Sequence, residues 1–173
     1  MEETERRVFM IVVSDTTPLI SLMKIGHLDL VYQLFGEVQI PEAVYSELVI
    51  NRRFPEESRM IQESKFIKKV TVRDSKSVDL LRRSTGLDAG ESEAILLSDS
   101  LNADVLLMDE TRGRKVAKQM GIQIMGTIGV LMLAYEEDRL SKEEILACVD
   151  VLKHNGRHIS NKLYEQLLQK FAE

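Results

Sequence analysis

The stretch MIVVSDTTPL, residues 10–19, runs four apolar residues into a serine and a carboxylate, then turns on two threonines and a proline. An apolar run without in-out alternation reads as a strand covered on both faces, the pattern of a parallel sheet. Asp15 therefore stands at the tip of a buried strand. It either caps a helix beginning near Pro18 or belongs to a site.

Working outward, the first run extends as VFMIVV (8–13), and four more strand-like runs follow: EVQI (37–40), FIKKVTV (66–72), DVLLM (104–108) and IQIM (122–125). Helical patterns lie between them. Residues 18–35 carry Leu19, Leu22, Met23, Leu30 and Leu34 at mixed three and four spacing, which predicts a helical segment. In PEAVYSELVI (41–50), Pro41 suits a first helical position. DAGESEAILLSDSLN (88–102) opens on a capping-box pattern, Asp88 with Glu91, and TRGRKVAKQMG (111–121) stops on Gly121. After residue 126 the pattern is wholly helical, with a second capping box at Ser141 and Glu144. NRRFPEESR (51–59) reads as a mobile loop. Strand and helix alternate, so the expectation is an α/β domain with a mostly parallel five-stranded sheet covered on both faces. A single domain over 1–173 is expected, with a core of about 8–135 and extra C-terminal helices at about 141–173.

A chain of 173 residues buries roughly 70% of the surface that its unfolded form exposes, so no staples are needed. The single cysteine, Cys148, sits in an apolar helical run and reads as a reduced, buried thiol. No apolar segment approaches the ~20 residues of a membrane span. The charged start MEETERRVFM lacks a signal-peptide core. A soluble, cytoplasmic protein is expected. A formal charge of −5 argues against a general polyanion-coating protein but leaves a local basic rim open.

Sites in open parallel sheets form outside the carboxyl ends of the strands, where strand order reverses. Asp15 follows the first strand directly, and Asp109 follows DVLLM with Glu110 beside it. Glu47 lies at the margin of its helix's apolar stripe. Glu91 and Glu93 flank the stripe of Ala94, Leu97 and Leu101 on opposite sides, and periodicity alone does not choose between them. Glu91 already serves the capping box, which favours Glu93 as the functional acid. Converging carboxylates repel one another unless a cation sits among them, and hard oxygen donors select Mg²⁺ or Mn²⁺. Such a metal activates water and stabilises charge on phosphorus, so the implied chemistry is phosphodiester hydrolysis.

Asp15 in VVSDTTPL, Glu47 in PEAVYSEL, Glu93 in GLDAGESEAILLS and Asp109 in ADVLLMDETRGR together resemble a PIN domain. The match is closer to the prokaryotic PIN-like subgroup that opens with an SDTTPLI-type stretch and carries GE-x-EAI and D-x-x-x-GR segments. It spans about Val12 to Leu133. The resemblance implies a three-layer α/β/α fold and a divalent-metal-dependent ribonuclease, often the toxin of a toxin–antitoxin pair. It implies that Asp15, Glu47, Glu93 and Asp109 bind the metal. Two departures stand out: Leu107 occupies a position where many PIN toxins carry a hydroxyl, and Glu93 one where Asp is usual. Glu110 is an additional acid.

TRGRKVAK places Arg112, Arg114, Lys115 and Lys118 just after Asp109, where they can hold an RNA backbone; a guanidinium grips phosphate in two-toothed geometry. Arg52, Arg53, Arg82 and Arg83 are weaker candidates. His27, His154 and His158 lack ligand spacing for zinc. With no Trp, a base-stacking platform is missing. The phosphate-cradling Gly-Lys-Ser/Thr loop is also absent. A haloacid-dehalogenase-type phosphatase needs a second Asp where Thr17 stands. The alternative is a catalytically degenerate PIN-fold module that binds nucleic acid or protein. Expected partners are RNA, an antitoxin whose segment enters the site, and a second copy in a homodimer.

Overall fold

Val12 and Val13, neighbours in sequence, belong to different cores. Val12 packs with Leu19, Leu22, Val31 and Leu107, whereas Val13 packs with Ala94, Ile95, Leu106 and Ala117. Successive side chains leave a strand on opposite faces, so this strand is covered on both sides. The computed structural model, which describes residues 10–51 and 53–173, places it at the centre of the sheet. Strands β1 (Val12–Ser14), β2 (Val38–Pro41), β3 (Ile67–Val70), β4 (Val105–Leu107) and β5 (Ile124–Met125) run in the order β3-β2-β1-β4-β5. Every pairing is parallel, with Val12 opposite Val105, Val38 opposite Ile67, and Leu106 opposite Ile124. The chain builds one half outward from β1, then returns to build the other. Strand order reverses between β1 and β4, as in other doubly wound sheets. All five apolar runs form strands; Val8 and Phe9 of the first lie outside the described residues.

The helices correct the expected pattern in four places. Residues 18–35 form two helices, α1 (Thr16–Lys24) and α2 (Asp29–Phe35). Gly26, at φ 73°, turns the chain between them, and the His27 N–H donates back to the Leu22 carbonyl at 2.8 Å. The apolar spacing continues through this break because both helices face the same cluster. Pro41 ends β2 and precedes α3 (Glu42–Tyr45), which runs into a π-helical turn at Ser46–Ile50. Half of the expected loop 51–59 is the start of α4 (Pro55–Glu63), tied down by the Ser58 hydroxyl on the Val49 carbonyl and by a Lys24–Glu57 ion pair. Arg52 lies outside the described residues. Finally, α5 (Ser75–Thr85), not expected from the sequence, has no fully buried residue; it lays Leu81 against the core beside α6 and is closed by local signals, the Asp74 cap on the Ser77 N–H at 3.0 Å and Gly86 at φ 74°.

The remaining helices are α6 (Ala89–Leu101), α7 (Thr111–Gln119), α8 (Thr127–Glu136), α9 (Lys142–His154) and α10 (Asn161–Ala172). Both capping boxes form, at Asp88 with Glu91 and at Ser141 with Glu144. Helices α1, α2 and α8 cover one face of the sheet, and α6 and α7 the other, giving three layers. The C-terminal helices form a separate cluster, in which Ile145, Val149, Leu152 and Leu167 meet Leu131 of α8 and Leu30 of α2. Cys148 is buried there, and burial pushes its thiol pKa up. Among the described residues, no helix is long and apolar enough to cross a membrane.

Candidate active site

Asp15 is fixed by the sheet itself. Its N–H donates to the Leu107 carbonyl at 2.9 Å, extending the β1–β4 ladder one residue beyond the strands. The side chain is 3% exposed and makes no side-chain cap bond to α1, although its backbone occupies the N-cap position. Burial pushes its carboxyl from an ordinary 3.8 up to about 7; the Thr16 backbone N–H opposes this, and the charges of Glu91, Asp88 and Glu47 add to it. Asp15 thus occupies the N-cap position without the side-chain bond to the second or third helical N–H that a capping aspartate makes.

Glu47 reaches the same place from the π-helical turn, a distortion that recurs at functional sites. The Thr16 hydroxyl donates to its Oε2 at 2.8 Å. Its Oε1 lies against Gly90, where an added Cβ would come within 2.7 Å. Gly90 thus lets α6 approach the carboxylate as no side chain could. Burial raises the Glu47 pKa, the Thr16 hydroxyl opposes this, and Asp88 adds to it.

Glu91 and Glu93 meet different groups. Glu91 closes the capping box, its N–H donating to Asp88 at 2.8 Å and its Oε2 accepting the Asp88 N–H at 2.9 Å, yet it also acts on Asp15. Burial raises its own pKa, with Asp88 and Glu110 contributing. Glu93 instead accepts the Ala43 N–H at 2.8 Å, capping the first turn of α3. A carboxylate that accepts one N–H remains an acid, so a place in the capping box does not remove Glu91 from the neighbourhood of Asp15. Asp88, read from sequence as a cap alone, joins the cluster for the same reason.

Asp109 follows β4 as expected, but Thr127 engages its carboxylate through the backbone N–H at 2.7 Å and the hydroxyl at 2.6 Å, at the start of α8. Leu107 turns into the core beside β1, and the hydroxyl that meets Asp109 comes from Thr127. Arg114 folds back and donates to the Met108 carbonyl at 3.0 Å, and Gly113 lies where a Cβ would collide with the Met108 sulfur. The Gly-Arg pair of TRGR therefore seats α7 on the strand end. Arg112 reaches the turn before α6, its Nη1 3.0 Å from a Cβ built on Gly86. Lys115 and Lys118 are exposed. Arg53, Arg82 and Arg83 are also exposed, and Arg83 pairs with Asp79.

No ion pair among the described residues neutralises Asp15, Glu47, Asp88 or Glu91. The donor set is all oxygen, which fits a hard cation. Among the described residues, no three His, Cys, Asp or Glu side chains already form an ion cage. No curated protein matches the chain. A family model, DUF3368, described as a PIN domain, matches residues 11–173. With that match, the parallel sheet and acids at its strand switch, the chain belongs to the PIN domain family, whose members are generally nucleases.

Proposed function

We propose that this chain is a divalent-metal-dependent endoribonuclease hydrolysing RNA phosphodiesters, and the toxin of a toxin–antitoxin pair. One observation carries the reading: a carboxyl buried at the strand switch, with three carboxylates acting on it and no cation among the described residues paired to any of them. Such a cluster opposes folding unless an ion is its purpose. Asp15, Glu47 and Glu91 would hold Mg²⁺ or Mn²⁺, with Asp88 beside them and Asp109 and Glu110 at the adjoining strand end. Glu93 becomes a positioning residue that holds α3. The bound cation supplies an activated water and neutralises charge on the phosphoryl group. The chain's own groups orient the donors: the Thr16 hydroxyl holds Glu47, and the capping box holds Glu91. Arg112 and Lys115 take the substrate phosphate.

The test is cleavage of single-stranded RNA by the purified chain, lost in chelator and restored by Mn²⁺ or Mg²⁺. Removing a group that stabilises the transition state costs on the order of 10²–10³ in rate, and that loss is expected for Asp15→Asn and Glu91→Gln but not for Glu93→Gln. Expression should arrest growth, and Asp15→Asn should relieve it. That no three such side chains among the described residues form a ready ion cage favours a second reading, a PIN-fold interaction module without catalysis. Metal binding without cleavage of any RNA supports that one.

A further inference from the structure

A groove of about 1310 Å³ opens beside Asp109 and Glu110 and runs between α7, α8 and the loop into α10. This exceeds the roughly 300–1,000 Å³ of small-molecule pockets, so it suits an extended chain. One wall carries Lys115 and Lys118 from α7; the other carries Arg157 and Lys162 from the segment entering α10. None of these four pairs with a carboxylate among the described residues. The groove also carries three acids: Glu136 is bound to Lys170, Asp109 accepts from Thr127, and Glu110 stands at the end beside the acidic cluster. A chain of net charge −5 thus keeps four cations without a carboxylate partner among the described residues along the two walls of this groove. The floor between them is aliphatic, including Ile128, Met132 and Leu163. Ser21 also lines it, with a buried Oγ that has no hydrogen-bond partner.

The geometry points to this groove as the binding track for single-stranded RNA, held by its phosphates on the two cationic walls with bases against the aliphatic floor. Unpaired bases can reach that floor; a duplex keeps its bases stacked inside and offers it nothing. The track rests on the nuclease reading for its direction, since it ends at Glu110, whose charge acts on Glu91 of the acidic cluster. The C-terminal helices, outside the sheet layers, supply the second wall. They are part of the substrate site.

The test measures binding of a labelled single-stranded oligouridylate to the full chain in chelator, where cleavage plays no part. Two triple variants of equal charge change are compared: Lys118→Ala/Arg157→Ala/Lys162→Ala across the groove, and Arg59→Ala/Lys65→Ala/Lys76→Ala on exposed sites elsewhere. Each phosphate contact contributes about 0.7 to the salt slope for single strands. The groove variant should therefore lower that slope by about 2 and weaken low-salt affinity at least tenfold, with the control near wild type. Equal loss in both variants, or none in either, overturns the track. So does unchanged RNA affinity in the groove variant together with loss of binding to a polyglutamate peptide, which assigns the groove to an acidic protein segment. A chain that cleaves nothing but shows the expected binding loss fails the nuclease reading alone; one that cleaves normally with all three cations removed fails the track alone.

Discussion

Two carboxylates with little exposed surface have opposite electrostatics in this molecule. Glu57 is 6% exposed and Asp15 3%. Burial alone would raise Glu57, but the Lys24 hydrogen bond, the backbone N–H of Glu57 itself and the Lys24 charge together outweigh it and hold its pKa below the usual value. Asp15 has no such partner, and its neighbours are themselves acids. The first arrangement serves the fold, locking α4 to α1. The second works against it, as expected where a ligand supplies the missing charge.

The largest test of that contrast is Asp15→Asn in metal-free protein. Asp15's folded-state pKa, about 7, lies above the ordinary 3.8, so folding favours the protonated form. That contribution is complete below about pH 3.8 and is lost as pH rises to 7. Urea unfolding at pH 8 should show the variant more stable by on the order of 2–4 kcal/mol, with the gap closing by pH 4. Mn²⁺ should stabilise the wild type and leave the variant unchanged. A variant less stable at pH 8 breaks the contrast.

Lys24→Ala acts in the other direction. It leaves Glu57 buried and unpaired, and because Lys24 is 38% exposed the cost is put at about 1–2 kcal/mol rather than that of a fully buried pair. Glu57's pKa is lowered, so the pair's contribution is present above the ordinary 4.5 and is lost as pH falls through its folded value. The variant should match wild type in acid and fall behind at neutral pH in thermal melts.

The smallest effect sharpens the assignment of the Glu pair. Glu93→Gln keeps a neutral acceptor for the Ala43 N–H and should cost about 0.5–1 kcal/mol. Glu91→Gln should cost no stability at pH 8, because burial already disfavours its charge. Reversed melting shifts would restore Glu93 to the cluster.

The strands were legible because burial on both faces leaves unbroken apolar runs, and the capping boxes because they are contacts between residues three apart. α4 was missed: Pro55 opens it and Glu56 and Glu57 stand in its first turn, but the polar composition of NRRFPEESR reads as a loop. The break at Gly26 was hidden because α1 and α2 share one core and preserve one apolar rhythm across it.

The sequence by itself determined the parallel sheet and the acids at the ends of β1 and β4, since strand burial and strand termini are written in local composition. Only the tertiary structure decided which acids meet. How α6 rolls onto the sheet depends on Gly90 admitting Glu47 and on Glu93 reaching Ala43. Those contacts join residues about forty to fifty positions apart, beyond the range of any helical period.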